Sequence, residues 1–286
     1  MTDFEAAGPG LSFDPLYTVT SAFQLDPGPA ARMAAALDLD NGTFRLCEPL
    51  PAAWHWLYGQ AVIRARELGP DGRGGADGLL PRLDGRARMW AGTDIAFEVP
   101  LRFGVAYERN SRVVALDEKK ARSGSLKIAV VEHRIVGPDG PCLVERQTLV
   151  FRPPSVYKAP ANARQRSRSP DWTRVVSIDE VLLFQFSAAT HNAHRIHYDL
   201  PYAREREGYP ALVVHGTLTA ILLLDLLTRA RPEARVTHFS CRAERALFAG
   251  QEVTLAGAVV ADDRVDLWAE GPDGDVAMTA AATLAQ

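Results

Sequence analysis

The chain has 286 residues, of which 47% are hydrophobic and 23% are charged, which is typical of a globular protein large enough for two ordinary domains. Its formal net charge of −3 at pH 7 gives no argument for binding to nucleic acid or to an anionic membrane. The three cysteines, Cys47, Cys142 and Cys241, lie far apart without metal-ligand spacing and predict free thiols in a reducing cytoplasm. The longest apolar run, residues 220–227, is far shorter than the ~20 residues that cross a bilayer, so no membrane partner is expected.

The first half of the chain predicts one strand, then two helices, and then four further strands. Residues 16–25 alternate as a strand does, the Ala-rich residues 29–39 favour a short helix, and Pro51 opens a second helix at residues 51–68. A long loop is predicted at residues 69–88, which are rich in Gly, Pro, Asp and Arg, and loops of this length are usually functional or mobile. The apolar segments that follow predict strands at residues 89–105, 112–116, 126–136 and 142–152.

Residues 153–171 are interpreted as an interdomain linker, because they are rich in Pro, Ala, Ser and Arg and have no apolar period. This linker divides the chain into an N-terminal module, residues 1–152, and a C-terminal module, residues 172–286. In the second module Asp179 is predicted to cap a helical turn, and residues 217–227, apolar at almost every position, predict a helix buried on all sides. Strands are predicted around this helix at residues 173–178, 235–243, 251–260, 264–270 and 276–284.

Two short sequences recur in the same order in both halves. Gly-Pro-Asp-Gly occurs at residues 137–140 and 271–274, an offset of 271 − 137 = 134, and PLRFG at residues 100–104 matches ALFAG at residues 246–250. We interpret the halves as two copies of one module, of which the second carries the chemistry. A long helix wrapped by an antiparallel sheet is the hot-dog fold, so we predict an α+β double hot-dog whose first copy is degenerate.

Ionisable side chains are concentrated just before the buried helix. They are His191, His194, His197, Asp199 and the pair His215-Gly216. The first N–H groups of a helix lack intrahelical acceptors, so the N-terminus of the buried helix attracts negative charge. The sequence therefore predicts a histidine-containing loop that faces an anion-binding helix end.

This stretch resembles the motif of the MaoC-like hydratases and dehydratases, S-G-D-x-N-P-x-H followed by a His-Gly pair at the start of the central helix. When the last histidine of the motif is aligned on His197, Asn192 takes the place of the family's Asp, His194 of its Asn and Arg195 of its Pro. The variant N-x-H-R-I-H-Y-D, together with RMWAG at residues 88–92, is similar to one subgroup. That subgroup contains mesaconyl-C4-CoA (3-methylfumaryl-CoA) hydratases, itaconyl-CoA hydratases and a mitochondrial-type 3-hydroxyacyl-thioester dehydratase.

The resemblance implies a hydro-lyase that adds water to an unsaturated acyl-CoA thioester, or removes it, without a metal or redox cofactor. His197 is the expected base for the water, Asn192 is expected to hold the water or the thioester carbonyl, and Asp199 is a candidate for orienting His197. The implied substrate-binding residues are Gly216, His215, His194 and Arg195, the last as the partner of a distal carboxylate. Mesaconyl-C4-CoA is the expected substrate, with itaconyl-CoA and (3R)-hydroxyacyl thioesters of CoA or acyl carrier protein as alternatives.

Several alternatives remain at this stage. A histidine whose ring is satisfied in a polar loop accounts for His197 equally well, and an asparagine that caps a turn accounts equally well for Asn192. The pattern H-x-x-H-x-x-H contains zinc-ligand types but matches no recognised zinc spacing, so no metal is predicted. A hot-dog thioesterase and a module that binds acyl-CoA without turnover would share the helix end. Monomer and homodimer both stay open, because two fused modules already mimic a dimer.

Overall fold

The computed structural model describes residues 17–39, 43–74, 79–80, 86–121, 124–153, 156–159, 164 and 168–285. Within these residues the strands are β1 (Thr18–Gln24), β2 (Ala87–Phe97), β3 (Ala106–Ala121), β4 (Gly124–Gly137), β5 (Gly140–Arg152), β6 (Trp172–Ile178), β7 (Val236–Ala243), β8 (Gln251–Ala261), β9 (Arg264–Glu270) and β10 (Val276–Leu284). The α-helices are α1 (Pro27–Ala36), α2 (Glu180–Ala189), α3 (Leu200–Glu205) and α4 (Gly216–Ala230). Short 3₁₀ turns lie at Trp54–Leu57, Ala65–Glu67 and Arg195–His197.

All of these strands join one antiparallel sheet whose order is β1-β3-β4-β5-β2-β7-β10-β9-β8-β6. The sheet consists of two five-stranded units whose strands occur in opposite order along the sheet. The strands β1, β3, β4, β5 and β2 of the first unit correspond to β6, β8, β9, β10 and β7 of the second. The units meet where β2 pairs with β7, from Gly92 opposite Arg242 to Ala96 opposite His238. The predicted α+β double hot-dog fold is therefore confirmed.

The recurring sequences occupy matching places in the two units. Gly104 and Gly250 have φ of 84° and 80°. The Gly104 N–H donates to the carbonyl of Leu25, directly after β1, and the Gly250 N–H donates to the carbonyl of Ile178, the last residue of β6, both at 2.8 Å. Both glycines adopt the left-handed backbone conformation that a side chain disfavours, which explains why both copies keep glycine there. These matches support the division into residues 1–152, 153–171 and 172–286, which stays a prediction.

Helix α4 is the centre of the second unit and begins at Gly216 with His215 as its N-cap, as predicted. Its buried residues lie on every side of the helix, from Leu218 to Leu227, and it packs against β2, β6, β8, β9 and β10. A helix that is apolar all round gains stability only where protein covers its whole circumference, and the curved sheet supplies that cover. In the part of the chain that the structure describes, no helix combines the length and apolarity needed to cross a membrane.

The helix predicted at residues 51–68 is wrong. The structure has only the 3₁₀ turns Trp54–Leu57 and Ala65–Glu67 there, so the first unit has no counterpart of α4 among its described residues. Buried polar contacts explain the difference, because the indole N–H of Trp56 donates to Glu145 Oε1 at 2.9 Å and the His55 ring lies 3.0 Å from Oε2 of the same carboxylate. The left-handed backbone of Ala53, with φ of 66°, also interrupts an α-helix at this point, so only the short 3₁₀ turn forms around the bonds to Glu145.

Candidate active site

A cavity of about 1530 Å³ lies between the two units and is lined by residues from both. The first unit contributes, among others, Trp56, Arg73, Arg88, Trp90, Arg109 and His133. The second unit contributes, among others, Asn192, His194, His197, Tyr209, His215 and Gly216. The predicted histidine loop and the predicted helix end therefore open onto the same space.

His197 lies in the 3₁₀ turn Arg195–His197 and has one ring nitrogen fixed by the backbone. Its Nδ1–H donates to the carbonyl of Val213 at 2.7 Å, and Val213 is held extended because its own N–H donates to the carbonyl of Ile196 at 3.0 Å. This bond leaves Nε2 without a proton and open to the cavity that the ring lines. Burial lowers the pKa of His197 to about 4, against the opposing effect of the Val213 carbonyl, so the ring is a neutral base at physiological pH.

His215 connects His197 to the tip of α4. The two rings stack with their centroids 3.6 Å apart and an angle of 19° between their planes. Nε2 of His215 lies 2.9 Å from the hydroxyl of Ser187, whereas its Nδ1 is buried without a hydrogen-bond partner. Burial and the neighbouring His197 ring hold the pKa of His215 well below its usual range. Two neutral imidazoles therefore lie directly at the N-terminus of the helix.

Gly216 is required by a close contact with the first unit. A Cβ atom at this position would lie 2.5 Å from Cε3 and 2.8 Å from Cζ3 of Trp90, so the indole of Trp90 covers the first turn of α4. As the first residue of the helix, Gly216 has no intrahelical acceptor for its N–H, and no acceptor is found among the described residues. This free N–H and the helix dipole favour a negatively charged oxygen at the helix tip.

Asn192 and His194 form the wall of the cavity beside His197. The side-chain oxygen of Asn192 accepts a hydrogen bond from the His194 backbone N–H at 3.1 Å, and the amide NH₂ group has no partner among the described residues. The His194 ring meets the His197 ring edge-on, with the centroids 5.4 Å apart, and its Nε2 is 3.5 Å from Glu207. Burial, followed by the nearby charge of Arg73, holds the pKa of His194 well below its usual range.

The structure does not bring Asp199 and Arg195 to the cavity, and neither residue lines it. Asp199 caps α3, accepting from the Tyr202 N–H at 3.0 Å, and its other oxygen accepts from Arg195 at 2.7 Å and 2.9 Å. Arg195 also donates to the carbonyl of Pro70 and lies over the ring of Tyr202. Both side chains are thus occupied in holding the histidine loop, and Asp199 does not contact His197.

Buried polar atoms without a partner are concentrated at this cavity. In the described part of the chain the buried side-chain atoms without a hydrogen bond are Trp90 Nε1, Tyr157 Oη, His215 Nδ1 and His194 Nε2, the last of which lies 3.5 Å from the Glu207 carboxylate, and all four residues line the cavity. Since an unpaired buried polar atom costs free energy, such a concentration indicates a place built for a polar ligand or ordered water. No group of three or more His, Cys, Asp or Glu side chains suited to a metal ion occurs among the described residues.

Sequence reasoning missed two residues of the first unit that complete the site, Arg73 and the ring of Trp90. Trp90 belongs to the RMWAG segment, which the resemblance had singled out without assigning it a contact. Arg73 directly follows Gly69-Pro70-Asp71-Gly72, a third copy of the repeated tetrapeptide. That third copy was the available signal that the loop at residues 69–74 has a defined conformation.

Comparisons with known proteins agree with this architecture. The sequence profile of the family described as hydroxyacyl-thioester dehydratase type 2 matches residues 53–249. The mesaconyl-C(4)-CoA hydratase of Chloroflexus aurantiacus is 39% identical over 256 residues, which cover 89% of this chain and 91% of that protein. The mitochondrial hydroxyacyl-thioester dehydratase type 2 of Schizosaccharomyces pombe is 30% identical over 92 residues, covering 32% and 30% of the two chains. A crystal structure of a MaoC-like dehydratase from Phytophthora capsici superposes with a TM-score of 0.70 at 15% identity, covering 95% of this chain and 96% of that one.

Proposed function

The chain belongs to the hydroxyacyl-thioester dehydratase type 2 family, and from this membership we propose that it hydrates the C=C bond of an α,β-unsaturated acyl-CoA thioester, with mesaconyl-C4-CoA as its substrate. The relative that matches most of the chain is a hydratase of that compound. The observation that carries the proposal is the 3.6 Å stack that joins the His197 base to the N-cap residue of α4. A base for water and a donor for an enolate oxygen are thereby held side by side.

The proposed reaction uses both groups in one cycle. Nε2 of His197 takes a proton from water, and the water oxygen forms its bond to Cβ. The electron pair of the C=C bond moves to the thioester, where the oxygen becomes an enolate stabilised by the Gly216 N–H and the dipole of α4. The proton held on Nε2 then passes to Cα, which restores both the thioester and the neutral histidine.

Asn192 is proposed to hold the water rather than to exchange a proton. Its carboxamide cannot ionise at neutral pH, but its unpartnered NH₂ group lies at the cavity wall and can donate to the water oxygen. In the family motif an Asp takes this place, so the proposed cycle needs His197 as both base and acid. Asp199 and Arg195 are proposed to position the loop, because their side chains are bound to each other.

The charge of the cavity supports an anionic thioester as the ligand. Its described lining contains six cationic side chains, Arg73, Arg88, Arg109, Arg152, Lys158 and Arg245, against the single carboxylate of Glu244. Such an excess of positive charge in a cleft attracts the phosphates of CoA and a carboxylated acyl group. We also propose a cytoplasmic location, supported by the buried and unpaired thiols of Cys142 and Cys241.

The proposal is tested by incubating the purified chain with mesaconyl-C4-CoA, itaconyl-CoA and crotonyl-CoA and analysing the products by mass spectrometry. We expect a product heavier by one water from mesaconyl-C4-CoA. Release of free CoA would instead identify a thioesterase, and binding without any conversion would identify an acyl-CoA-binding module. Hydration of itaconyl-CoA alone or crotonyl-CoA alone would retain the hydratase and reject the proposed substrate. Size-exclusion chromatography of the same sample separates a monomer from a homodimer.

A further inference from the structure

The position of the carboxylate in the proposed substrate restricts where its partner can lie. In 3-methylfumaryl-CoA the methyl and carboxylate groups are both attached to Cβ, the carbon that receives the hydroxyl group. The carboxylate therefore lies beside the water that His197 activates, whereas the CoA phosphates extend far along the cavity. A cation that binds this carboxylate must lie next to the histidine loop, and a planar guanidinium binds a carboxylate best.

The loop at residues 69–74 brings the first unit into direct contact with the histidine loop. Gly72 has φ of +82°, and a Cβ atom there would lie only 2.0 Å from the carbonyl oxygen of Ala193. The carbonyl of Asp71 accepts the backbone N–H of Arg195 at 2.9 Å. The backbone before Arg73 is therefore pressed against the residues between Asn192 and Arg195, and this contact fixes where the Arg73 side chain begins.

The guanidinium of Arg73 is held rigidly and still has donors to offer. Its Nε and Nη2 lie 2.9 Å and 2.8 Å from Asp71 Oδ2, and its Nη1 donates to the carbonyl of Arg88 at 3.0 Å. These contacts use at most three of the five guanidinium N–H donors. The side chain is 10% exposed and lines the cavity. Its charge also lowers the pKa of both His194 and His197, which agrees with a location beside the two rings.

Most of the other cations are less well placed for this carboxylate. Arg152 donates to the carbonyls of Pro153 and Glu207, whereas the charge of Arg88 also lowers the pKa of His194 but, unlike that of Arg73, not the pKa of His197. Arg195, the residue expected from the sequence, does not line the cavity. Arg245 is paired with Asp275 at 2.5 Å, and Arg109 donates to His133 and to the carbonyl of Gly59 in the first unit. Lys158 is exposed, as expected for a group that binds CoA phosphates at the cavity mouth.

We propose that Arg73 binds the carboxylate on Cβ of the substrate and thereby makes the enzyme specific for β-carboxylated enoyl-CoA thioesters. This inference rests on the proposed hydratase function. The guanidinium, fixed by Asp71 and the Arg88 carbonyl, orients Cβ toward the water on His197, while the thioester oxygen faces Gly216. Rigid placement matters because a guanidinium that needs no reordering loses little entropy when it binds a second carboxylate.

The test compares kcat/KM for mesaconyl-C4-CoA and for crotonyl-CoA, which lacks the carboxylate, in the full-length chain and its variants. Arg73→Gln is expected to lower kcat/KM for mesaconyl-C4-CoA by about 100-fold or more, with crotonyl-CoA within about threefold of its original value. Arg73→Lys keeps the charge but not the fork of donors, so it is expected to recover part of the loss. Arg134→Gln, an exposed arginine outside the cavity, is the matched control and is expected to change neither value.

Equal losses on both substrates in Arg73→Gln would overturn the inference and make Arg73 a residue that positions the histidine loop or binds CoA. An unchanged preference for mesaconyl-C4-CoA would overturn it as well. If Arg73→Gln fails to fold, as judged by thermal denaturation, the same substrate ratio is measured in Arg73→Lys, where an unchanged ratio counts against the proposal. A wild-type chain that hydrates neither compound overturns the proposed function and this inference together. A wild-type chain that hydrates mesaconyl-C4-CoA, with equal losses on both substrates in Arg73→Gln, overturns this inference alone.

Discussion

The chemistry of His197 depends on which of its nitrogens carries the proton. Nδ1 of His197 lies 2.7 Å from the Val213 carbonyl oxygen, which keeps the proton on Nδ1. The lone pair of Nε2 therefore faces the cavity. The adjacent His215 ring stacks on the same imidazole and is itself kept neutral by burial. A protonated His197 would face a burial cost that the Val213 carbonyl offsets only in part, which keeps the base in its active form well below neutral pH.

The pH dependence of activity follows from this protonation state. Because the pKa of His197 is lowered to about 4, kcat/KM for hydration is expected to stay level from pH 8 to about pH 5 and to fall below that as Nε2 is protonated. Steady-state rates in a series of buffers of constant ionic strength measure this fall of kcat/KM at acidic pH. A fall centred near pH 6.5, the usual pKa of histidine, would contradict the buried neutral ring.

Replacing the imidazole of His197 is expected to lower the catalytic rate while the protein still folds. His197→Ala is expected to lower kcat by about 10²–10⁴-fold, the usual contribution of a general base. His238→Gln is the matched control, since His238 is 40% exposed, pairs with Asp94 and lies outside the cavity. Turnover in His197→Ala within a few-fold of the control would reject the assignment of this base.

At the scale of elements, the tetrapeptide Gly-Pro-Asp-Gly performs different tasks in different places. At residues 271–274 it closes the hairpin between β9 and β10, and Gly274 has φ of +75° with open space where a Cβ would lie. At residues 69–72 the last glycine has nearly the same φ, +82°, but its Cα faces the Ala193 carbonyl. The same local turn has thus become a contact between the two units.

This pair of glycines permits a controlled experiment. Gly274→Ala is expected to cost only the strain of a side chain at positive φ, about 1 kcal/mol of unfolding free energy. Gly72→Ala adds a backbone clash to the same strain, so a larger loss of unfolding free energy is expected, with lower activity on every substrate because the histidine loop shifts. Urea denaturation and steady-state assays of both variants measure the difference. Equal losses of unfolding free energy in the two variants would show that the backbone at Ala193 moves aside for the added methyl group at no energetic cost.

At the scale of the whole molecule, both units contribute side chains to the site. The second unit holds the histidines and the helix tip, while the first contributes Trp90 over Gly216 and Arg73 beside the histidine loop. The first unit lacks a long helix among its described residues, and its buried Glu145 instead binds His55, Trp56 and Thr93. Of the residues that donate to this carboxylate, Trp56 and Gln147 line the cavity.

Buried histidines in both units make the stability of the molecule depend on pH. Burial lowers the pKa of His197 to about 4 and of His133 to about 3, and the pKa values of His194 and His215 are lowered too. The unfolded chain binds these protons near pH 6.5 and the folded chain does not, so the unfolding free energy falls as pH decreases from about 6.5 toward 4. His197 and His133 are each expected to contribute roughly 1–2 kcal/mol between pH 7 and pH 5, and His194 and His215 act in the same direction.

Urea denaturation at fixed ionic strength from pH 8 to pH 5 measures this slope. Below about pH 4.5 a second loss is expected from Glu132, because three arginine hydrogen bonds outweigh its burial and lower its pKa to about 2. An unfolding free energy that stays constant between pH 7 and pH 5 would contradict the neutral histidine cluster.

The sequence by itself determined the features whose cause is local. Uniform apolarity predicted α4 over residues 217–227, and the His215-Gly216 pair predicted where it begins. The Gly-Pro-Asp-Gly sequences at 137–140 and 271–274 lie between predicted strands and close hairpins, and Asp179 predicted a helix cap, which accepts the Leu182 N–H at 2.8 Å. Spacing and residue type also singled out His197, Asn192 and Gly216, which all line one cavity. These properties follow from backbone preference and burial within a few turns of the chain.

Only the tertiary structure decided which distant side chains meet. Asp199 and Arg195 lie inside the motif, yet they bind each other, whereas Arg73, more than a hundred residues earlier, lines the cavity beside the histidines. Residues 51–68 carry a helical pattern, but buried bonds to Glu145 on β5 overrule it. The physical reason is the same in each case, because a polar side chain takes the orientation that satisfies its hydrogen bonds, and the partners within reach are set by how the chain packs.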